Sequence, residues 1–265
     1  MWEVRDGDSR VVLFGSVHAL PPDVDWRTPL LDQAIADAPL IYFETDIGPL
    51  GMASMMVKII VQQFQTIGEP WLDRLNGEQM HKLLVAIEPL GISLGEAGAT
   101  PPWVLAMELT DIAMRADETG SAMKMSNGVE WVLQWELAKE RKGYLETPGQ
   151  QFEMLAGGPI ENQIEQLFMV IDEAAPESAN VLGDLVEAWI AGDVDGLTMV
   201  AKTPAEAAAL DALLLQRNRN WLPAIEEMLK DNQDNLIVVG AGHLAGEDDV
   251  LDLLADAGYT VTRIQ

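Results

Sequence analysis

The chain has 265 residues, of which 48% are apolar and 22% charged, a composition that is typical of a folded globular protein and excludes a disordered one. Its 43 acidic residues against 16 Lys and Arg give a formal net charge of -27, which repels phosphate backbones, so nucleic acid is not expected as a partner. The absence of cysteine excludes disulfides, thiolate metal sites and a cysteine nucleophile.

The first predicted elements form a strand–turn–helix–strand unit. The apolar run from Val11 to Phe14 predicts a buried strand, which stops at the turn Gly15-Ser16-Val17-His18. A helix from about Thr28 to Asp37 and a second strand from Leu40 to Glu44 follow. Such units favour parallel strands with a helix packed on the sheet.

The middle of the chain is predicted to be mostly helical, because apolar residues recur there at helical spacing between Gly and Pro breaks. One further strand is predicted at Gly143 to Glu146. The most apolar run, from Met52 to Phe64, is too short to span a membrane, and neither a transmembrane segment nor a signal peptide is expected. The predicted helices are Met55 to Phe64, Met80 to Ile87, Trp103 to Met114, Val129 to Glu140, Ile164 to Ile171, Leu182 to Ile190 and Leu213 to Leu229.

The end of the chain repeats the pattern of its beginning. A strand from Leu236 to Val239 stops at Gly240-Ala241-Gly242-His243, and a helix near Asp248 to Asp256 and a strand from Tyr259 to Ile264 follow. The repeat predicts an α/β fold with a pseudo-symmetric sheet built from N- and C-terminal βαβ-like units. We expect a single domain over 1–265, in which 1–49 and 231–265 form the sheet and 50–230 are a large, mostly helical insertion.

Two of the three histidines close matching Gly-x-x-His turns, and this repetition makes them the leading site residues. In open α/β sheets, ligands bind beyond the carboxyl ends of the strands, so His18 and His243 converge if both units share one sheet. Glu44 ends the second strand at the same edge, and a carboxylate in such an apolar run needs a partner. Taken singly, each histidine is more often a loop residue, and Glu44 could instead cap a helix or pair with an arginine.

Two imidazoles and a carboxylate suit a divalent metal such as Mn, Co or Zn, with positions left open for water or substrate. A metal lowers the pKa of a bound water and polarises a carbonyl. The sequence therefore predicts a metal site formed by His18, Glu44 and His243. Asp46, two residues after Glu44, is predicted to orient a ligand or to act as a base.

The stretch from Arg217 to Trp221 concentrates two arginines in a chain that is poor in cations. Arg217 and Asn218 could fix a substrate carbonyl or stabilise an oxyanion. The alternative is a surface helix whose arginines pair with Glu226 and Glu227. The third histidine, His81, is expected on the surface.

Two motif matches lack their usual context. Gly91 to Gly95 fits the Gly-x-Ser-x-Gly nucleophile elbow, but a helix rather than a strand is predicted before it, which favours a loop between helices. Gly240 to Ala245 fits a dinucleotide fingerprint, yet the acidic residue expected about twenty positions later is missing, so a nucleotide site remains a minor alternative.

The ordered set of these segments resembles the TraB/GumN/PrgY family, which is related to the Tiki metallopeptidases. The resemblance covers nearly the whole chain and rests on Leu13 to Pro21, Phe43-Glu44, Tyr144 to Thr147 with Gln151, Arg217-Asn218 before Trp221, and Val239 to Gly246. Where relatives commonly have a glycine followed two residues later by Asp, this chain has Gly128-Val129-Glu130, which leaves a role for Glu130 open.

The resemblance implies a pseudo-symmetric α/β fold akin to the erythromycin esterase and ChaN-like groups. It implies that His18, His243 and Glu44 form the metal and catalytic set, with Arg217 and Asn218 at the site. It further implies a divalent-metal-dependent peptidase acting on a peptide or protein, and an exported or periplasmic location. The alternative that it leaves open is a non-catalytic protein that sequesters a peptide, as PrgY-like relatives do, or a haem-like ligand, as ChaN-like relatives do.

Overall fold

The computed structural model describes residues 1–66, 70–115, 123–157, 159–173, 181–198, 210–231 and 233–265. These residues form a mixed α/β fold with two compact units. One, here called the sheet unit, comprises Met1–Gly48, Ser121–Thr147 and Leu182–Gln265. The other, here called the helical unit, comprises Pro49–Gly120 and Pro148–Val181. The predicted division at residues 49 and 231 and the pseudo-symmetry of the sheet stay predictions.

Six strands form one sheet in the order β4-β3-β5-β2-β1-β6. Strands β2, β3, β4 and β5 run parallel to one another, as the βαβ-like units predicted. Strand β1, which the sequence analysis did not predict, runs antiparallel to both β2 and β6, so the sheet is mixed. The strands are β1 (Trp2–Arg5), β2 (Arg10–Ser16), β3 (Ile41–Phe43), β4 (Lys142–Tyr144), β5 (Asn235–Gly240) and β6 (Thr260–Arg263).

The described helices match most of the predicted helical segments. The predicted helix from Val129 to Glu140 ends earlier, at Glu136, and is followed by a short 3-10 turn at Lys139–Arg141. The helices are α1 (Pro29–Asp37), α2 (Pro49–Thr66), α3 (Gly77–Ile87), α4 (Leu94–Ala99), α5 (Pro102–Arg115), α6 (Val129–Glu136), α7 (Pro148–Ala156), α8 (Ile160–Glu173), α9 (Val181–Ala191), α10 (Gln216–Lys230) and α11 (Val250–Asp256).

The central strands of the sheet unit are buried on both faces, which explains why β2 and β5 are nearly continuous apolar runs. On one face, Leu13 and Val239 pack with Trp221 of α10 and Leu254 of α11. On the other face, Phe14 lies against Trp189 of α9, with 6.2 Å between the ring centroids. Because side chains alternate along a strand, each face receives every second residue.

The helical unit is held by an apolar core between α3, α5 and α8. Leu83, Leu105 and Leu167 are fully buried in it. Capping boxes begin two of its helices, at Asn76 with Gln79 and at Ser93 with Glu96. Ser93 is therefore an exposed helix cap between helices, and the loop interpretation of Gly91 to Gly95 is confirmed.

In the part of the chain that the structure describes, no helix is both long and apolar enough to cross a membrane.

Candidate functional site

The parallel strands of the sheet unit bring the predicted site residues to one edge. Ser16 at the end of β2 is in register with Gly240 at the end of β5, and Phe43 of β3 is in register with Val238. The turns after these strands therefore open on the same side. A methyl group added to Gly240 would lie 3.2 Å from Glu44 Oε1, 3.5 Å from His18 Nε2 and 3.7 Å from His243 Cδ2. The structure thus gathers the three predicted residues around Gly240.

Glu44 is the buried carboxylate of this cluster and is only 4% exposed. Its Oε1 accepts the Gly240 N–H (2.7 Å), and its Oε2 accepts Nη2–H of Arg217 (2.5 Å). Burial alone would raise the pKa of Glu44. The charge of His243, at a pH low enough to protonate its ring, and those of His18 and Arg217 lower this pKa to about 2. The predicted partner of this carboxylate is therefore an arginine, and Glu44 is ionised at neutral pH.

Arg217 of α10 lies inside the cluster and not on a surface helix. Its Nε donates to Glu146 Oε1 (2.8 Å), and Nη2 donates to Glu146 Oε2 (3.0 Å) as well as to Glu44. Its Nη1 donates to the Leu213 carbonyl (3.2 Å) and contacts His243 Nε2 (3.1 Å). A guanidinium has five N–H donors, and five acceptors surround this one. Pairing of Arg217 with Glu226 and Glu227, the surface alternative, is therefore wrong.

The hydrogen bonds of His243 determine its tautomer. Because arginine donates and never accepts, His243 Nε2 must accept the Nη1–H of Arg217. The ring proton is then on Nδ1, which donates to Asn218 Oδ1 (2.6 Å). Asn218 Nδ2 in turn donates to the Asp248 carbonyl (3.3 Å), which orients the amide. Burial, reinforced by the charge of Arg217, lowers the pKa of His243 to about 3, so the ring is neutral at neutral pH.

His18 is paired with a carboxylate from α6 that the sequence analysis left open. Its Nδ1 is 2.6 Å from Glu130 Oε2, and Ser16 Oγ donates to Glu130 Oε1 (2.6 Å). Glu130 is buried, whereas 55% of the His18 side chain is exposed. The carboxylate of Glu130 raises the pKa of His18 to about 9, although solvent around the open face of the ring screens part of this attraction.

A glycine keeps α6 close to the first histidine turn. A methyl group on Gly128 would lie 1.9 Å from the His18 carbonyl oxygen, so no side chain fits between the start of α6 and the turn. The next residue, Val129, donates its N–H to the Val17 carbonyl (3.1 Å). This backbone contact places Glu130, one residue further on, beside His18.

Asp46 follows the end of β3, and Glu146 follows the end of β4. Asp46 Oδ1 accepts the Gly48 N–H (2.8 Å) and the Tyr144 hydroxyl (3.2 Å). Burial, together with Asp46, raises the pKa of Tyr144 to about 12. Glu146 accepts from Arg217 and from Trp221 Nε1 (2.9 Å). Sequence reasoning noted Glu146 only within a longer motif and as the last residue of a predicted strand, although that place was a signal for this edge.

The described residues include one group that could hold a metal ion. His18, Glu44 and Glu130 can each offer one ligand atom, and these atoms lie within 4.8 Å of one another. An imidazole with two carboxylates is a donor set that suits first-row divalent metals. His243 lies outside this group: its Nε2 is 3.7 Å from Glu44 Oε1 but is engaged by Arg217. The role of His243 as a ligand stays a prediction.

The cluster carries net negative charge, which favours a cation. Glu44 and Glu146 share the single positive charge of Arg217, and Glu130 adds a further carboxylate beside His18. Three carboxylates thus face one guanidinium and two imidazoles, of which the ring of His243 is neutral. The residues present therefore fit a divalent cation by both donor type and charge.

The family model described as the TraB/PrgY/gumN family matches residues 1–263, which is essentially the whole chain. No curated protein and no solved structure matches the chain.

Proposed function

Because the chain belongs to the TraB/PrgY/gumN family, we propose that it is a metal-dependent hydrolase that cleaves peptide bonds. The observation that carries this proposal is the convergence of His18, Glu44 and Glu130 from three separate segments, with their ligand atoms within 4.8 Å of one another. A divalent cation held there would lower the pKa of a bound water and polarise a substrate carbonyl.

Glu44 is better suited to binding a cation than to taking up a proton. A group with a pKa of about 2 is a weak base, whereas it remains a carboxylate ligand at neutral pH. In the proposed hydrolysis, the water oxygen bonds to the carbonyl carbon, a carboxylate takes the water proton, the C–N bond breaks and the leaving amine receives that proton. We assign the proton transfer to Asp46, which follows Glu44 by two residues and is held by Tyr144 and Gly48.

Arg217 and Asn218 act on the site by positioning its other residues. Since the five N–H donors of Arg217 all meet protein acceptors, this residue holds the buried carboxylates in place, and its charge favours negative charge developing nearby. Asn218 orients His243. We therefore regard both as positioning residues, in contrast to the direct oxyanion contact that the sequence predicted.

Cation binding tests the metal site directly. We expect titration calorimetry with Mn²⁺ or Co²⁺ to show one site, and Glu130→Gln to weaken it by at least about tenfold because a charged ligand is lost. Glu136→Gln is the matched control, since Glu136 also lies on α6 but is exposed and pairs with Arg27. Equal affinities in the two variants would rule out Glu130 as a ligand.

Turnover of a peptide library with Mn²⁺ or Co²⁺ tests the reaction. We expect cleavage by the unaltered chain and its loss in His18→Ala and in His243→Ala. Unchanged cleavage in both variants would end the proposal. Tight peptide binding without cleavage, by a chain shown to hold the cation, would instead favour the alternative of a peptide-sequestering protein. The exported location stays a prediction.

A further inference from the structure

The sheet unit contains an aromatic cavity of about 280 Å³ beside the ends of β2 and β5. We call it the aromatic cavity because three tryptophans and one phenylalanine are among its lining residues. Its lining includes Trp2, Phe14, Trp26, Trp189, Leu197 and Ala241. The cavity lies on the α9 face of the sheet, whereas Arg217 and Trp221 of the charged cluster come from α10 on the other face.

The cavity and the charged cluster share their backbone. Gly15 lines the cavity and precedes Ser16, whose hydroxyl is bonded to Glu130. Ala241 also lines it and follows Gly240, around which the site residues gather. Consecutive Cα atoms are about 3.8 Å apart, and an extended peptide advances about 3.3–3.6 Å per residue. The cavity and the cluster therefore lie within the span of a few residues of an extended peptide.

Two polar side chains of the cavity wall bond to the backbone. Trp189 Nε1 donates to the Gly15 carbonyl (2.8 Å). Arg263 lies over the Trp2 ring at 5.8 Å and donates to the Gly192 carbonyl (2.6 Å). Asp25 and Thr28 also line the cavity, but the larger part of its surface is apolar. A mainly apolar lining with a few polar groups is typical of ligand pockets.

The rim of the cavity is accessible. Ile190, at the end of α9, is 58% exposed, and the adjacent Ala191 is also exposed. Asp25 and Arg263 both line the cavity, so one acidic and one basic side chain stand beside its aromatic rings. An uncharged ring can stack on the tryptophan faces.

We propose that the aromatic cavity binds a large apolar side chain, preferably an aromatic one, of the peptide cleaved at the charged cluster. The proposal rests on the proposed hydrolase function for the identity of the ligand, but it concerns a separate set of residues. It assigns specificity to Trp26, Trp189 and Phe14.

The test uses the full chain labelled with 5-fluorotryptophan and observed by fluorine NMR. N-acetylphenylalaninamide is titrated, with N-acetylserinamide as the control ligand, and Trp26→Phe and Trp189→Phe assign the resonances. We expect only the phenylalanine ligand to shift the resonances of Trp26 and Trp189. No shift of either resonance would overturn the proposal.

A blocking variant and its control locate the binding. Ala191→Trp places a large ring on the rim and is expected to abolish the shift. Ala36→Trp makes the same change at an exposed position of α1 that does not line the cavity, and binding should persist. Equal binding in both variants would place the ligand elsewhere and overturn the proposal.

The peptide library separates this proposal from the hydrolase itself. Binding of the phenylalanine ligand without hydrolysis of any peptide would leave the pocket in place and remove the hydrolase. Hydrolysis with no preference for an aromatic residue near the cleaved bond, equal in Ala191→Trp and the unaltered chain, would keep the hydrolase and remove the pocket. We expect hydrolysis with an aromatic preference that Ala191→Trp removes.

Discussion

The sheet unit and the helical unit bury different kinds of side chain. Among the described residues, the sheet unit buries Glu44, Glu130, Glu146 and Arg217, whereas the helical unit buries one polar side chain, Gln163, and no charged one. Buried charges are tolerated only when partners compensate for lost water. The ends of parallel strands supply such partners, because they bring distant parts of the chain together. The core of the helical unit is apolar, so different mutations should destabilise the two units.

The largest expected effect comes from replacing Arg217, the buried cationic side chain of the sheet unit. Arg217→Met leaves Glu44 and Glu146 buried without their positive partner, and we expect it to lower the free energy of unfolding by about 3–5 kcal/mol. Urea unfolding measures this loss.

The control for that variant is Arg219→Met, which removes an arginine of the same helix whose side chain is 45% exposed. Its effect should stay within about 0.5 kcal/mol. A similar small effect for Arg217→Met would show that the buried charges are not stabilised by this pairing, and the contrast between the units would lose its physical basis.

Next in size is a cavity in the helical unit. Leu167→Ala removes a fully buried side chain between α5 and α8, and we expect a loss of roughly 2–5 kcal/mol. Hydrogen exchange should increase in the helical unit, while Mn²⁺ affinity at the sheet unit stays unchanged at a temperature where the variant is folded. Leu84→Ala, at a position that is 42% exposed, is the control. Weakened cation binding in Leu167→Ala would show that the two units are energetically coupled.

The smallest effect concerns pH and the N-cap of α11. Burial raises the pKa of Asp249 from 3.8 to about 6, so the folded chain holds this proton more tightly than the unfolded chain. The resulting stability is complete below pH 3.8 and is lost as the pH rises through about 6. Asp249→Asn keeps a capping side chain and removes the titration. Between pH 4 and 7 we expect the variant to gain on the order of 2 kcal/mol relative to the unaltered chain.

Urea unfolding at several pH values measures this difference. Asp256→Asn removes an exposed carboxylate from the last turn of the same helix and controls for the loss of one charge. Parallel pH curves for the two variants would contradict the assignment to Asp249.

The fold was largely predictable where local pattern and tertiary structure agree. The apolar runs from Val11 to Phe14 and from Leu236 to Val239 lie within β2 and β5, and the strand after Tyr259 is β6. Strand β1 was missed although Trp2–Arg5 alternates apolar and polar residues, because the alternation covers only four positions. Its pairing with β2 and β6 supplies the remaining evidence, and that pairing is visible only in the structure.

The site was predictable in part, and for the same reason. His18, Glu44 and His243 were predicted to meet because each follows a buried strand, and parallel strands end at one edge. Glu130 was not predicted as a partner, since it begins a helix and reaches His18 only through a backbone contact between α6 and the first turn. The full set of hydrogen bonds around the Arg217 guanidinium could not be predicted either. Predicting it would need the positions of five acceptor atoms from distant segments of the chain.

Gly128 makes the spacing between a histidine and a carboxylate depend on a position that has no side chain. With the backbone of α6 against the His18 carbonyl, any larger residue there must push the helix outward and carry Glu130 with it. A change from Gly128 to alanine would preserve every charged and polar group of the cluster and still separate two of them. The integrity of this site therefore cannot be judged from its reactive side chains alone, because an uncharged and chemically inert position controls the distance between them.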